Sequence, residues 1–566
     1  MKIFYLSAIL SLFIGFSNSI LAQPCAAGTA TETLDAANST ITLSSSGLWA
    51  FDPNGSTPAY EWPKTATGQG PGLIFTGNLW FGGFDDGGNL KLAAKTYGLD
   101  DNNGYWPGPY NADFSTPNAE VCTNWDRLFK VNGSEIEAFR VDFEDNQQIN
   151  DPIPNSILGW PGHGNPSFSS VHGFELPELE GGLAPFFDQN FDGIYDPLAG
   201  DYPLIKCADQ AVWWVFNDSG NINSSNSNNI SLEVQMLAYV YNSNESNINN
   251  SSFYDVKFIN RGTEPMDSMY AGIWIDTDLG CPFDDYLGNA PDENLVYFYN
   301  EDEIDGEADG TCEGIPTYEE APMFGIKLLE GPLNSDGSSR LNMTSSLYYD
   351  NQSGSPTGSQ APSMGYEFYN LLTGNRTDGS EFLNPNNGPT HFLFSDNPAI
   401  TPDGWSMCSE QLTSADRRSI TSIGPMKLNP GQSNNMTFAV VVQPQPALPC
   451  PDVSALIAAA DMPVPTNTIS NSFCNLTVGV NEETVERIGL SVFPNPATDL
   501  INFQLSENES FATVHLYRMD GQLVRKLDNL QSSNVTFTRE DLASGTYIYQ
   551  IITQDAAAAS GKIILK

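Results

Sequence analysis

Apolar and polar residues alternate along many short segments of the chain, and this pattern restricts the fold more than any other feature. In residues 231–241, Leu232, Val234 and Met236 fall on one face of an extended segment. Similar runs, rich in β-branched and aromatic residues, occupy 253–259, 269–275, 295–299 and 436–442. Helical periodicity is scarce, and the best helical segment is 452–461. The sequence therefore predicts an all-β fold: a large antiparallel β-sandwich body, built as one or two packed sandwiches.

The length of 566 residues predicts about three to four domains, or fewer if one sandwich is very large. All ten tryptophans lie between Trp49 and Trp405, and a proline-rich stretch, 443–451, follows them. We therefore expect a β-rich body at 23–445, a linker at 446–485 and a small C-terminal domain at 486–566.

The first 22 residues have the pattern of a secretory signal peptide. Lys2 precedes an apolar stretch from Ile3 to Phe16, and the small residue Ala22 precedes the expected cleavage point. This stretch is shorter than the roughly 20 apolar residues that span a bilayer. We therefore expect passage through the periplasm, with no transmembrane segment in the mature chain.

Eight cysteines follow the signal peptide: Cys25, Cys122, Cys207, Cys281, Cys312, Cys408, Cys450 and Cys474. An even number in an exported chain indicates disulfides. No two cysteines have C-x-x-C spacing, which argues against zinc or thioredoxin-like redox sites. Cys281 and Cys312 are the favoured pair, and the other pairings stay open.

The net charge of −46 comes almost entirely from the body. Residues 485–566 hold 7 basic and 9 acidic side chains, a net of −2, which leaves −44 for the rest. Such a surface repels nucleic acid and anionic lipid, so nucleic acid is excluded as a partner. Two explanations stay open: solvated charge that keeps an exported protein soluble, and binding of divalent cations.

One acidic segment has the spacing of a calcium loop. Its predicted ligands are Asp188, Asn190, Asp192, Ile194 and Asp196, and Gly193 stands where such a loop turns sharply. Position twelve is Ala199 rather than glutamate, but Asp201 could complete the ligand set. The alternative is a turn in which the same side chains accept hydrogen bonds from their own backbone.

A second acidic cluster, Asp276, Asp278, Asp284 and Asp285, follows an aromatic strand. Crowded carboxylates repel one another unless a cation or open solvent relieves them, so a second calcium site is a hypothesis here. For the acidic segment 301–313 we expect a solvated loop.

Enzyme signatures are absent from the sequence: it contains no H-E-x-x-H, no G-x-S-x-G and no phosphate-binding loop, and the four histidines are widely spaced. No catalytic residue is therefore predicted, and the balance is against an enzyme. Glycoside hydrolysis needs only two carboxylates at a suitable separation, and a chain with 69 acidic residues contains such pairs whatever its function, so their presence does not discriminate. Trp213 and Trp214 could form a sugar platform, but core packing is the favoured interpretation.

The C-terminal residues contain a set of motifs that occur in order. They are Phe493-Pro494-Asn495-Pro496, Asp520-Gly521, 542–547 with Gly545 and Tyr547, and 562–566 with Lys562 and Lys566. The two prolines fix a turn and Asp520-Gly521 suits a hairpin. This region resembles the type A sorting domain of type IX secretion cargo in Bacteroidota. The resemblance implies an Ig-like β-sandwich, recognition by the type IX machinery, and a final location in the medium or on the outer cell surface.

The body resembles large uncharacterised exported proteins of the same phylum, across 78–82, 160–166, 183–203, 211–218 and 272–288. That resemblance implies no activity. Two hypotheses follow for the body: a calcium-stabilised, non-enzymatic adhesion or matrix module, or a protein that binds or degrades polysaccharide. A surface polysaccharide or extracellular glycan is the partner that both hypotheses allow.

Overall fold

The structure is a computed structural model. It describes residues 25–51, 58–97, 104–179, 181–220, 228–306, 312–351, 358–401, 403–413, 415–444, 447–466, 490–495, 497–505, 511–518, 523–527, 530, 532–539, 542–553 and 558–566. The predicted signal peptide, 1–22, lies outside these residues. The chain divides into two compact units, residues 1–477 and 478–566.

The first unit is built mainly from strands. They are β1 Thr31–Leu34, β2 Thr40–Ser44, β3 Ala50–Phe51, β4 Tyr60–Glu61, β5 Gly72–Phe84, β6 Leu90–Ala93, β7 Trp106–Pro107, β8 Phe129–Asn132, β9 Phe186–Phe187, β10 Tyr202–Pro203, β11 Gln210–Asn217, β12 Leu232–Val240, β13 Ser251–Asn260, β14 Met266–Thr277, β15 Asp285–Ala290, β16 Leu295–Asn300, β17 Met323–Glu330, β18 Ser345–Asp350, β19 Phe382–Asn384, β20 Gly388–Thr390, β21 Arg417–Leu428 and β22 Ser433–Gln443. The helices are α1 Ala119–Trp125, α2 Gly133–Asn146, α3 Asn155–Leu158, α4 Phe168–His172, α5 Ser246–Asn249, α6 Gly365–Leu372, α7 Met407–Glu410 and α8 Ser454–Ala460.

Two nine-stranded sheets, with antiparallel pairing between their strands, form this unit. The first sheet has the order β1-β2-β4-β5-β14-β21-β18, and β3 and β6 also pair with β5. The second has the order β15-β16-β17-β22-β13-β12-β11-β7, and β8 also pairs with β11. The five strands and the one helix predicted from periodicity are all confirmed, as β12, β13, β14, β16, β22 and α8.

The two sheets pack face to face around aromatic side chains. Trp49, beside the first sheet, has ring-centroid distances of 5.0 Å to Tyr254 and 5.4 Å to Phe438 of the second. Phe81 and Phe258 meet across the same interface at 5.2 Å. One continuous buried core therefore joins the sheets, and the body is one large sandwich.

The second sheet is also covered on its outer face, because every residue of β11 and β12 is buried. An aromatic layer on the segment after β7 contributes to this cover: Phe129 packs 5.8 Å from Trp213, and Trp125 stacks on Phe168. Trp213 and Trp214 are 2% and 0% exposed, so the structure places them in the core and not on a sugar platform.

Three described disulfides staple the unit: Cys25–Cys122, Cys281–Cys312 and Cys408–Cys450. The predicted Cys281–Cys312 pair is confirmed, and Cys207 is also disulfide-bonded. The segment predicted as linker from residue 446 packs on the body at first, because Leu456 and Ala460 of α8 are buried and Lys206 donates to the carbonyl of Pro465 at 2.9 Å.

The second unit has its own core and two antiparallel sheets. Its strands are β23 Leu490–Phe493, β24 Leu500–Leu505, β25 Phe511–Arg518, β26 Leu523–Leu527, β27 Asn534–Thr538, β28 Gly545–Thr553 and β29 Ala558–Leu565. One sheet has the order β23-β24-β27 and the other β26-β25-β28-β29. Buried residues such as Phe503, Val514 and Ile551 fill the space between them, which is the predicted small sandwich.

Candidate functional site

The acidic segment 188–201 forms the loop between β9 and β10, which pair as a hairpin. Its side chains fold inward onto the loop backbone. The Asp188 carboxylate accepts from the amide of Gly193 at 2.8 Å, and Asp192 accepts from that of Ile194 at 2.8 Å. Asn190 accepts from the amide of Asp192 at 3.1 Å. Gly193 adopts φ +80°, the left-handed turn that the calcium-loop pattern requires.

Asp201, at the end of this loop, contacts the backbone at two earlier positions in it. It is fully buried, and its two oxygens accept from the amides of Gln189 and Asp196 at 2.8 and 2.7 Å. Burial raises the pKa of Asp201, and repulsion from Asp188 and Asp192 adds to the rise. Three of the predicted ligands, Asp188, Asp192 and Asp201, thus lie at one turn, and calcium binding there stays a prediction. Asp196 instead caps the following 3-10 helix through the amide of Leu198.

The second predicted cluster spreads along the end of the sandwich. Asp276 pairs with Arg418 at 2.8 Å and accepts from the hydroxyl of Tyr97 at 2.6 Å. Burial raises the pKa of Asp276 to about 7, although Arg418 opposes the rise. Asp278 is half-buried, and burial and Asp276 raise its pKa. Arg418 thus supplies a protein cation to Asp276, and it shares that charge with Asp416.

Asp284 and Asp285 lie next to Asp305, which the sequence placed in a solvated loop. All three are buried, at 2%, 3% and 6% exposure. Burial raises the pKa of Asp284 to about 7 and that of Asp305 to about 6, and it raises the pKa of Asp285 well above its usual range. Asp305 is the acidic residue that sequence reasoning missed. The one signal that could have found it is its position between the two halves of the predicted Cys281–Cys312 disulfide.

A cavity of about 790 Å³, here called the groove, opens beside the second sheet. Its floor comes from β11–β13 and β22, and its wall from residues 181–186 with His163. Across the floor, Lys206 pairs with Asp255 at 3.0 Å. Asp255 also accepts from the hydroxyls of Thr437 at 2.8 Å and Tyr239 at 3.2 Å. The charged and hydroxyl groups at the groove floor are therefore connected to one another by an ion pair and hydrogen bonds.

The wall of the groove is fastened to both the sheet and the acidic loop. Lys257 donates to the carbonyl of Gly181 at 2.9 Å, and Gln235 donates to that of Gly182 at 3.2 Å. Burial lowers the pKa of Lys257. From the loop, the amide of Tyr195 donates to the carbonyl of His163 at 2.7 Å. The loop, the wall and the groove are thus one connected structure.

The histidines make separate contacts, as their spacing predicted. His163 lines the groove, while His172 contacts Arg127 and the carbonyl of Gly159. His391 forms a hydrogen bond with the carbonyl of Gly374, and His515 forms one with the hydroxyl of Tyr517.

In the C-terminal unit, Asn495 joins the predicted motifs at the two ends of the domain. Its amide group donates to the carbonyl of Lys562 at 2.8 Å and accepts from the amide of Ile564 at 2.9 Å. Tyr547 is buried and donates to the carbonyl of Ala543 at 2.9 Å. The motif residues Pro496, Asp520 and Gly521 lie outside the described residues.

Comparison with known proteins identifies the C-terminal unit. Residues 491–566 match the family described as the secretion system C-terminal sorting domain. This domain carries the chain to the type IX secretion machinery, and it indicates a secreted or outer-surface location. Among the described helices, none combines the length and the apolar character that crossing a bilayer requires.

The family match does not extend into the body. No curated protein matched the chain. Among solved structures, the chain is similar to a polysaccharide lyase at 9% sequence identity and a TM-score of 0.18, over 59% of this chain and 34% of that one. The chain thus spans about a third of the length of that structure. A likeness at this level carries no argument about activity.

Proposed function

We propose that the exported body is a calcium-stabilised, non-enzymatic adhesion or matrix-contact module, and that the groove is its contact surface. The observation that carries the proposal is the connection between the acidic loop and the groove wall. Tyr195, inside the loop, donates two hydrogen bonds. Its hydroxyl donates to the carbonyl of Ile157 at 2.6 Å, and its backbone amide donates to the carbonyl of His163. A change in loop order would therefore be transmitted to the wall.

Calcium suits this loop for electrostatic reasons. Asp188, Asp192 and Asp201 bring three carboxylates to one turn, and the charges of Asp188 and Asp192 raise the pKa of Asp201 in addition to the effect of burial. Oxygen donors at this spacing are the ligands that calcium prefers. A bound ion would neutralise the carboxylates and hold the hairpin that supports the wall. The alternative, a turn held by hydrogen bonds alone, predicts no response to calcium.

Thermal unfolding of the full mature chain tests the calcium part. With a dissociation constant of about 0.1 mM, typical of extracellular modules, about 10 mM calcium would stabilise the folded state by about 2.7 kcal/mol. We expect the melting temperature to rise in calcium and to fall in chelator, and this response to shrink in Asp192→Asn. Asp336→Asn is the matched control, because Asp336 forms an exposed turn of the same kind elsewhere. A melting temperature that ignores both calcium and chelator would defeat the proposal.

A polysaccharide-binding or polysaccharide-degrading protein is the second candidate. The observation that favours it is the mixed lining of the groove, where carboxylate, amide and hydroxyl groups stand beside apolar side chains. Sugar hydroxyls bind to such sets of donors and acceptors. Because the groove holds Lys206 and Lys257 opposite Asp255 and Glu330, its charges balance, which suits a neutral glycan.

Binding of the purified chain to cellulose, xylan, chitin and collagen separates the two candidates. Collagen binding that calcium strengthens and Asn435→Ala weakens would support matrix contact. Binding to one polysaccharide with the same sensitivity would support the second candidate, and release of reducing ends or unsaturated sugars would assign degradation. Asn386→Ala, an exposed asparagine in the turn between β19 and β20, is the control. Binding that is unchanged in Asn435→Ala would remove the groove from either role.

A further inference from the structure

Two buried carboxylates, Asp284 and Asp305, meet at the end of the second sheet near the Cys281–Cys312 disulfide, and their charges also act on the buried Asp285. Asp284 and Asp285 stand at the start of β15, and Asp305 follows β16. A carboxylate oxygen of Asp284, one of Asp305 and the sulfur of Cys281 lie within 4.8 Å of one another. Gly280 permits this approach, because a Cβ at that position would stand 1.8 Å from the Asp305 carboxylate. The fold therefore brings together acids that are 20 residues apart in sequence.

The hydrogen bonds of this cluster leave two oxygens without a donor. Asp305 accepts from the amides of Cys281 and Tyr318 at 2.8 and 2.5 Å. One oxygen of Asp284 accepts from the amide of Gly306 at 2.7 Å, and one of Asp285 from that of Leu279 at 3.1 Å. Among the described residues, no donor satisfies Oδ1 of Asp284 or Oδ1 of Asp285. Buried oxygens without a donor are costly, so this arrangement calls for a ligand.

The local charge also indicates a divalent cation. Arg417 is the cation that acts on Asp285, and its guanidinium donates to the backbone carbonyl of that residue at 3.0 Å. If all three carboxylates are ionised, one guanidinium leaves two negative charges in a buried place, and that guanidinium also lies 3.9 Å from Asp350. Asp302 adds further negative charge to Asp284 and Asp305. Burying uncompensated charge costs several kcal/mol per ion, and a bound dication would remove that cost.

We infer that Asp284, Asp285 and Asp305 form a buried site for a calcium-like divalent cation. The donor set contains oxygens only, since the sulfur of Cys281 is held in its disulfide and supplies no thiolate. Oxygen donors select calcium, magnesium or manganese rather than zinc or copper. The site goes beyond the exposed loop of the proposed function and does not depend on it.

The ion would fasten two parts of the body. Asp305 sits in the loop closed by the Cys281–Cys312 disulfide, and its partner Tyr318 donates through its hydroxyl to the carbonyl of Trp62 at 2.6 Å. Trp62 follows β4, a strand of the first sheet. The site thus stands where the acidic end of the second sheet is tied to the residue that follows β4 of the first.

Metal content of the full mature chain tests the site. After saturation with calcium and removal of free ion, we expect Asp284→Asn and Asp305→Asn to lower the bound calcium by one equivalent and to weaken binding at this site more than tenfold. Asp192→Asn, in the exposed loop, should leave this equivalent in place, which separates failure of the loop from failure of this site. Asp336→Asn is the control at an exposed turn.

A second readout does not depend on stability. Terbium, which replaces calcium in oxygen sites, should show emission sensitised by the nearby Tyr318. In the Asp192→Asn background, which weakens the exposed loop, the further change Asp284→Asn should abolish this emission while far-ultraviolet circular dichroism stays native. Equal calcium content in the wild type, Asp284→Asn and Asp305→Asn, all folded, would overturn the inference. A second result would also overturn the inference: Asp284→Asn melts at a higher temperature than the wild type, and calcium does not change the melting temperature of the wild type. That result would mean that the buried acids are protonated and hold no cation.

Discussion

Replacing Arg261 by methionine should destabilise the body strongly, because it leaves a buried carboxylate without its cation. Arg261 and Glu233 have side chains that are 2% and 0% exposed, and they form a bidentate pair at 3.0 and 3.1 Å. Glu233 also accepts from the amide of Tyr110 at 3.1 Å and from Gln235 at 2.9 Å. Breaking a buried pair by removing one partner costs about 3–5 kcal/mol.

Urea unfolding followed by tryptophan fluorescence measures this loss. All ten tryptophans lie in the first unit, so the signal reports on the body and not on the C-terminal domain. We expect Arg261→Met to lower the free energy of unfolding by about 3–5 kcal/mol.

The double variant Arg261→Met/Glu233→Gln separates the charge from the packing. Glutamine keeps an acceptor for the amide of Tyr110 but carries no charge, so the double variant should recover about half of the loss, or roughly 2 kcal/mol. A single variant that loses less than about 1 kcal/mol, or a double variant as unstable as the single, would refute the reasoning.

Two further predictions concern export and pH. Deletion of residues 487–566 in the native host should leave the body in the periplasm, and fractionation that finds the truncated chain outside the cell in undiminished amount would contradict the role of the tail. Asp218 is fully buried, and burial raises its pKa to about 6 although four donors oppose the rise. Because the folded state holds this proton more tightly than the unfolded state, the stabilisation is complete below about pH 4 and is lost as the pH rises through about 6, a change of roughly 3 kcal/mol. Urea unfolding between about pH 4 and 7.5 measures this change, and Asp218→Asn should remove it from the pH profile of stability. Identical profiles for the variant and the wild type would contradict the prediction.

The strands could be predicted from the sequence because alternation is a local property. In β12 and β13 the residues that form each apolar face lie within a stretch of about ten residues, so the alternation can be recognised from that stretch alone. Helix α2 was missed although its signal was present. Asn132 and Glu135 form a capping box, and Ile136, Phe139 and Phe143 mark one buried face. Charged residues between these three make the helical periodicity of the apolar residues harder to recognise in the sequence.

The groove could not be predicted, because its residues come from distant parts of the chain. His163, Lys206, Asp255 and Glu330 share no local pattern, and only the strand order of the second sheet brings them to one cavity. The calcium-loop pattern was visible because its donors are nearly consecutive. Asp201 joined it because the pairing of β9 with β10 folds the hairpin back.

The acidic composition illustrates why charge alone predicts so little. Asp113, Asp378 and Asp452 are exposed, and hydrogen bonds from the hydroxyl and the backbone amide of a serine two residues later lower their pKa and leave them as ordinary solvated charges. Asp284 and Asp285 have the same side chain, but burial removes water, and in the described part of the chain one oxygen of each has no donor. Because an unsolvated carboxylate must find a proton or a cation, the fold and not the count of acids decides where a metal ion is needed. Folding thus divides the acids of this body into many that water solvates and a few that are separated from water, and composition alone cannot tell the two groups apart.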